Sequence, residues 1–208
     1  MPRGRPREFD RESALQSAML LFWRKGFHAT SISDLCEAIG VNTPSLYAAF
    51  GNKESLYTEA VELYMKVTED LLWAYLKDGR SARAGMRNLL MATAKELTTT
   101  KAHPTGCFVT LATIDEDMPP SVSKVIVEAR RNWLETIRAH ILKAVKDGEL
   151  PPSTDVDGIS RFFQAIVQSI GIQSHDGANQ SDLEGMVETA MGIWPKRVAK
   201  KERSLSKA

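Results

Sequence analysis

Apolar residues recur three and four positions apart through almost every long segment of this chain, and no convincing series of alternating strands interrupts them. That period predicts helices throughout, so the expected fold class is all-α. Asp10 precedes a stretch with Leu15, Ala18, Leu21 and Phe22 on one side, and Gly26 stands where a left-handed residue commonly closes a helix. Ser31 with Asp34 gives a capping-box-like start to a short helix whose Ile32, Leu35 and Ile39 point inward, closed by Gly40. Val41 then opens a second short helix that ends at Phe50-Gly51-Asn52. A longer helix followed by two short ones across a glycine-containing turn is the expectation for a helix-turn-helix.

Asn52 can cap a long helix with a stripe of Leu56, Ala60, Leu63, Val67 and Leu71, running to about Lys77 and linking two domains. Further helices are expected near Arg83 to Thr99, Gly106 to Asp115, Ser121 to Lys146, Asp155 to Ser174 and Asp182 to Trp194. The last two are the most patterned. Ile159, Phe162, Phe163, Ile166, Val167 and Ile170 line one, and Leu183, Met186, Val187, Ala190, Met191 and Trp194 line the other after a Ser181-to-Glu184 capping box. Both stripes need a partner, either within the chain or in a second copy, since two such hairpins make a four-helix bundle. Phe162, Ile166, Ile170, Val187, Met191 and Trp194 are the candidate dimer contacts. The expected division is an arm and helix-turn-helix domain over 1–53, a larger helical ligand-binding and dimerisation domain over 54–195, and a basic tail over 196–208.

Charge sharpens this division. The net charge of the 208 residues is only +1, yet residues 1–53 carry seven Lys/Arg against five Asp/Glu and 196–208 carry six against one, leaving an acidic middle. Cys36 and Cys107 are the only cysteines, which excludes a disulfide framework and a paired zinc pattern. No secretory signal pattern and no long uninterrupted apolar run occurs, so a cytoplasmic protein without a membrane partner is expected. His103, His140 and His175 are unclustered, and no GxGxxG, P-loop or GxSxG occurs. No metal, cofactor or catalytic residue is therefore expected. The acidic Asp115 to Asp117 run before Met118-Pro119-Pro120 suits a solvated turn.

From Arg3 to Tyr64 the chain resembles the TetR family of bacterial transcriptional regulators. The resemblance rests on "ALQSAMLLFWRKGFHATSISDLCEAIGVNTPSLYAAFGNKESLY": a small-residue helix, a Gly-Phe turn, Thr-Ser before the second helix, Ala-x-x-Gly-Val, Leu-Tyr-x-x-Phe and Lys-Glu. In the second half it covers the helical layout, a Gly-Cys helix start and a C-terminal helix pair. It implies a homodimer that sets its third helix in the major groove of a palindromic double-stranded DNA operator, most often a repressor released by a small molecule.

On that reading Tyr47 donates its hydroxyl to a phosphate, positioning the helix without reading sequence. Thr43 and Ser45, at the front of the helix, can meet phosphates or base edges, with capping as the competing role. Pro44 favours Thr43 as the cap, because a residue before proline avoids helical angles, whereas the family register starts the helix one residue earlier. Ala48 and Ala49 offer no side-chain hydrogen bond, although an alanine methyl can meet a thymine methyl, so direct readout is expected to be modest. Charge comes from Lys53 and from Arg3, Arg5 and Arg7, the last three suited to a minor groove. Thr30 and Ser31 could add phosphate contacts. About three cationic contacts per subunit give a dimer a log–log salt slope on the order of −5.

For an effector, Trp73, Phe108, Leu111, Trp133, Ile137, Phe163 and Gln164 are the candidate lining, implying a small apolar or aromatic molecule. Cys107 follows Gly106 at an expected helix start, where negative charge is favoured, which makes a redox or electrophile sensor the alternative. An enzyme with a helical-bundle site is a remote third reading.

Overall fold

The computed structural model describes residues 10–77, 81–99 and 101–195. Within them every regular element is helical. Three helices form the head: α1 (Arg11–Lys25), α2 (Ile32–Ile39) and α3 (Thr43–Phe50). Asp10 caps α1 by accepting from the Glu12 and Ser13 amides. Ser31 and Asp34 form the full reciprocal capping box on α2, and Gly40 closes that helix in the left-handed region at φ 78°. Apolar faces of these helices meet at Ala18, Phe22, Leu35, Leu46 and Phe50, all buried.

From Lys53, α4 (Lys53–Leu71) carries the chain out of the head, capped by Asn52. It ends at Leu71, short of the expected run to about Lys77. Residues 73–77 tighten into a 3-10 turn, and Val67 and Leu71 lie on the surface at 48% exposure each, whereas Leu56 and Ala60 are fully buried. Among the described residues, four helices and a short one follow: α5 (Ala82–Thr99), α6 (Phe108–Leu111), α7 (Pro120–Lys146), α8 (Val156–His175) and α9 (Gln180–Met191). The expected start of α9 is corrected. Asn179 and Asp182 make the capping box, two residues before the Ser181–Glu184 pair, because the Asn179 side chain accepts from the Asp182 amide and Asp182 reciprocates.

α5 packs against both α8 and α9, and α7 against α8, around Leu89, Leu90, Ile126, Ile137, Ile141 and Phe163. Arg87 on α5 pairs with Glu188 on α9, and Arg138 on α7 with Asp157 on α8 at 2.7 Å. This arrangement corrects most of the expected dimer contacts: Ile170, Val187, Met191 and Trp194 are buried within the chain's own core and cannot present themselves to a second copy. Phe162 and Ile166 are only partly covered, and beside them Ile172 and Ile193 stand exposed at 45% and 56%. No helix among the described residues is long and apolar enough to cross a membrane.

Candidate nucleic-acid interface and its coupling to the helical domain

The sequence of α3 dictates a one-sided helix. Leu46 and Phe50 are buried at 0% and 3% exposure, so the opposite side, with Thr43, Pro44, Ser45, Tyr47 and Ala48, is left to solvent. Tyr47 is 43% exposed. Asn42 is the cap: its backbone is extended and its side chain accepts from the Ser45 amide at 2.9 Å, which places Thr43 and Pro44 in the first turn. The expectation that proline makes Thr43 the cap is thus corrected, since an asparagine one position earlier supplies the stronger acceptor and proline fits the first turn at either site. The Thr43 hydroxyl lies 3.6 Å from Cys36 Sγ.

Around α3 the cations differ in how committed they are. Arg11 sits over the Phe50 ring at 4.6 Å and bonds both carboxylate oxygens of Glu59 at 2.7 Å. Lys25 pairs with Asp34 at 3.0 Å. Lys53 instead rests its ammonium 4.3 Å from the centroid of Phe27, half-buried, with partial burial lowering its pKa and Asp34 opposing that shift. It makes no ion pair among the described residues. Asp34 itself is held down to about 2 by the Ser31 amide first, then by Lys25 and the Ser31 hydroxyl.

Thr30 does not reach outward. It is fully buried, and its hydroxyl donates to the Gly26 carbonyl at 2.6 Å, so a phosphate contact by this side chain is ruled out. Ser31 is exposed, although its hydroxyl already accepts from the Asp34 amide at 3.0 Å. Arg3, Arg5 and Arg7 lie outside the described residues.

The head is fastened to the rest of the chain by an aromatic cluster. Trp23 stacks on His103 at 4.4 Å and meets Tyr64 edge-on at 5.1 Å, while Phe108 packs against Tyr57 at 5.5 Å and Tyr64 at 5.7 Å. Two polar contacts flank it, His28 Nε2 to Asp115 at 3.2 Å and the Ser121 hydroxyl donating to Glu54 at 2.6 Å. Phe108 belongs to the four-residue α6, which other elements hold at both ends. Cys107 caps its start, its sulfur accepting from the Thr110 amide at 3.4 Å and from the Tyr64 hydroxyl at 3.1 Å. Burial, then the adjacent sulfur, pushes the Tyr64 hydroxyl's pKa well up, so it stays a proton donor. Arg130 on α7 donates to the carbonyls of Val109, Thr110 and Ala112. Gly171 lets α8 approach, for a Cβ there would lie 2.8 Å from that of Cys107.

The seven expected effector-lining residues do not surround one cavity. Ile137 and Phe163 are fully buried in the core, Phe108 in the aromatic cluster, and Gln164 donates to the Arg130 carbonyl at 2.7 Å. Leu111 is partly buried, its methyl 2.6 Å from where a Cβ on Gly106 would stand. Only Trp73 and Trp133 share a void: their rings stack at 5.9 Å and line a groove of about 470 Å³ between α4 and α7, with the Trp133 N–H unpartnered among the described residues. Sequence reading missed Tyr64 and Arg130. Each acts through partners that spacing does not announce; the Arg130 carbonyl partners lie 18 to 21 residues away. No cluster of metal-ligating residues occurs among the described residues.

Comparisons with known proteins agree with this arrangement. Residues 14–60 match the family model for bacterial regulatory proteins of the tetR family, and residues 86–193 match the tetracyclin repressor-like C-terminal domain. The chain is 33% identical over 202 residues to the HTH-type transcriptional repressor ComR of Escherichia coli K12, covering 94% of both proteins. It is 42% identical over 77 residues to the repressor BdcR of the same organism, covering 37% of this chain and 39% of BdcR. A cysteine variant of the TetR family regulator CifR, solved in complex with a 26-base-pair operator DNA, superposes with a TM-score of 0.86 at 34% identity, covering 92% of this chain and all of that one. An exposed third helix on a three-helix head, joined to a helical body that matches along its length, leads to one conclusion: the chain belongs to the TetR family of DNA-binding transcriptional regulators.

Proposed function

We propose that this protein is a cytoplasmic repressor, not an enzyme, that binds a palindromic operator as a homodimer and is released by a small apolar or aromatic molecule. The observation that carries the DNA-binding part is the outward face of α3, where Thr43, Ser45, Tyr47 and Ala48 are exposed on a helix whose other side is locked by Leu46 and Phe50. Lys53 and the arginines at positions 3, 5 and 7 supply the phosphate attraction that α3 lacks. A second copy would pair over Phe162 and Ile166, partly covered on α8, and over Ile172 and Ile193, which stand exposed on α8 and just after α9. On this reading residues 1–53 work as the DNA-binding unit, 54–195 as the effector and dimer unit, and 196–208 as a basic tail. The Trp73–Trp133 groove suits an aromatic effector. Selection of bound fragments from random DNA tests the reading: a palindrome is expected, and recovery of no palindrome overturns it.

A second reading keeps the operator and replaces the effector with chemistry at Cys107. It is favoured by the two donors at the sulfur, the Tyr64 hydroxyl and the Thr110 amide, and by the contact of α6 with the head. Treatment with peroxide or an electrophile should then lower operator affinity in the native chain but not in Cys107→Ser. Unchanged affinity in the native chain removes it.

A further inference from the structure

A second groove, of about 720 Å³, runs between α1, α4 and the C-terminal end of α5, a volume within the roughly 300–1,000 Å³ usual for small-molecule sites. Apolar side chains form a strip along it. Met19 and Leu20 come from α1, and Leu63, Val67 and Leu71 from α4, of which Val67 and Leu71 are the half-exposed end of the α4 stripe. Nothing among the described residues covers them, and three apolar residues spaced four apart make a continuous strip.

Trp23 also lines this groove. Its indole is 8% exposed and fixed between His103 and the Tyr64 and Phe108 rings, yet its N–H has no acceptor among the described residues. Buried indole N–H groups ordinarily find one. The charges along the rim are mostly committed: Asp10 caps α1, Arg11 holds Glu59, and Glu96 faces His103 Nε2 at 3.4 Å. Glu12 lies in the first turn of α1, where the helix N-terminus favours its negative charge. Lys66 is exposed and has no carboxylate within ion-pair distance among the described residues.

We propose that this groove is a binding site for an aliphatic carboxylate, its chain lying along Leu20, Leu63, Val67 and Leu71 and its head group taken by the Trp23 N–H and the Lys66 ammonium. The Trp73–Trp133 groove is a separate void whose lining shares only Lys66 with this one. One wall belongs to the head and the others to the helical body, so an occupant also fixes the angle between them; that regulatory consequence rests on the repressor reading, whereas binding itself does not.

The test is calorimetric titration of the full chain, without DNA, with two probes of equal chain length and opposite head charge, decanoate and decyltrimethylammonium, both kept below micelle-forming concentrations. Decanoate is expected to bind at least about tenfold more tightly than the cation. Val67→Asp, an exposed position whose substitution leaves the fold intact, should weaken decanoate about tenfold or more, and Lys66→Gln and Trp23→Phe several-fold each. Equal affinity for the two probes, no decanoate binding at all, or undiminished binding by folded Val67→Asp and Lys66→Gln overturns the proposal. Operator binding is measured on the same samples: decanoate binding without operator binding overturns the DNA reading alone, and the reverse overturns the groove alone.

Discussion

Replacing Lys53 by methionine isolates the electrostatic part of DNA binding. The methionine keeps an unbranched side chain against Phe27, so the folded head loses only the cation–π term, about 0.5–1 kcal/mol at a partly exposed site. What it removes from the interface is one charge per subunit. With three cationic contacts per subunit, a dimer releases counterions with a slope of about −5.4, and the variant dimer, with two fewer, about −3.6. Between 50 and 200 mM salt the native protein should then lose roughly 1,800-fold in affinity and the variant only about 150-fold. Fluorescence anisotropy with a labelled operator across that range reads both numbers. Lys25 provides the comparison, because Asp34 already neutralises it at 3.0 Å, and Lys25→Met should shift the slope by less than half as much. A slope for Lys53→Met equal to that of the native chain would refute the assignment, whatever the change in affinity.

Tyr47→Phe should lower operator affinity by about 1 kcal/mol per subunit while leaving the melting temperature unchanged, since the 43% exposed ring keeps its packing; unchanged affinity in the anisotropy assay would show that the hydroxyl bonds no phosphate. The Asp34 carboxyl, depressed from 3.8 to about 2 in the folded head, contributes stability that is complete above the unfolded value and is lost as pH falls through the folded one. The melting-temperature gap between the native chain and Asp34→Asn should accordingly hold from about pH 7 to 5 and close between about pH 4 and 2. Gly171→Ala should cost about 1–3 kcal/mol in thermal unfolding, because its Cβ would meet that of Cys107 at 2.8 Å, whereas Gly185→Ala, with nothing within 4 Å, should not destabilise.

The head was legible almost residue by residue because its signals are local. Asp10, Ser31 with Asp34, Gly40 and Asn52 act within four positions of themselves, and each caps or closes the helix that its spacing announces. Proline misled at Thr43 because the steric rule for its neighbour is weaker than the Asn42 cap bond. In the body the helices were legible and their contacts were not. Ile170 and Trp194 share their apolar character with Ile172 and Ile193, and periodicity cannot tell a face turned to α5 from one left uncovered. The expected span of α6, 106–115, was longer than the four residues observed for a similar reason: Gly106, at φ 82°, and Ala112, in an extended conformation, bound a helix whose ends are satisfied by Tyr64 and Arg130 from distant parts of the chain.

That dependence gives α6 a particular physical character. Four residues close barely one turn, too few to offset the entropy of nucleating a helix, so α6 has no stability of its own. It survives because Tyr64, Arg130 and the Cys107 cap immobilise it, and it carries Phe108 against the head as long as they do. An element of this kind melts instead of bending. Losing one of its clamps would therefore loosen the whole segment instead of one contact, and with it the seat of Phe108 against Tyr57 and Tyr64.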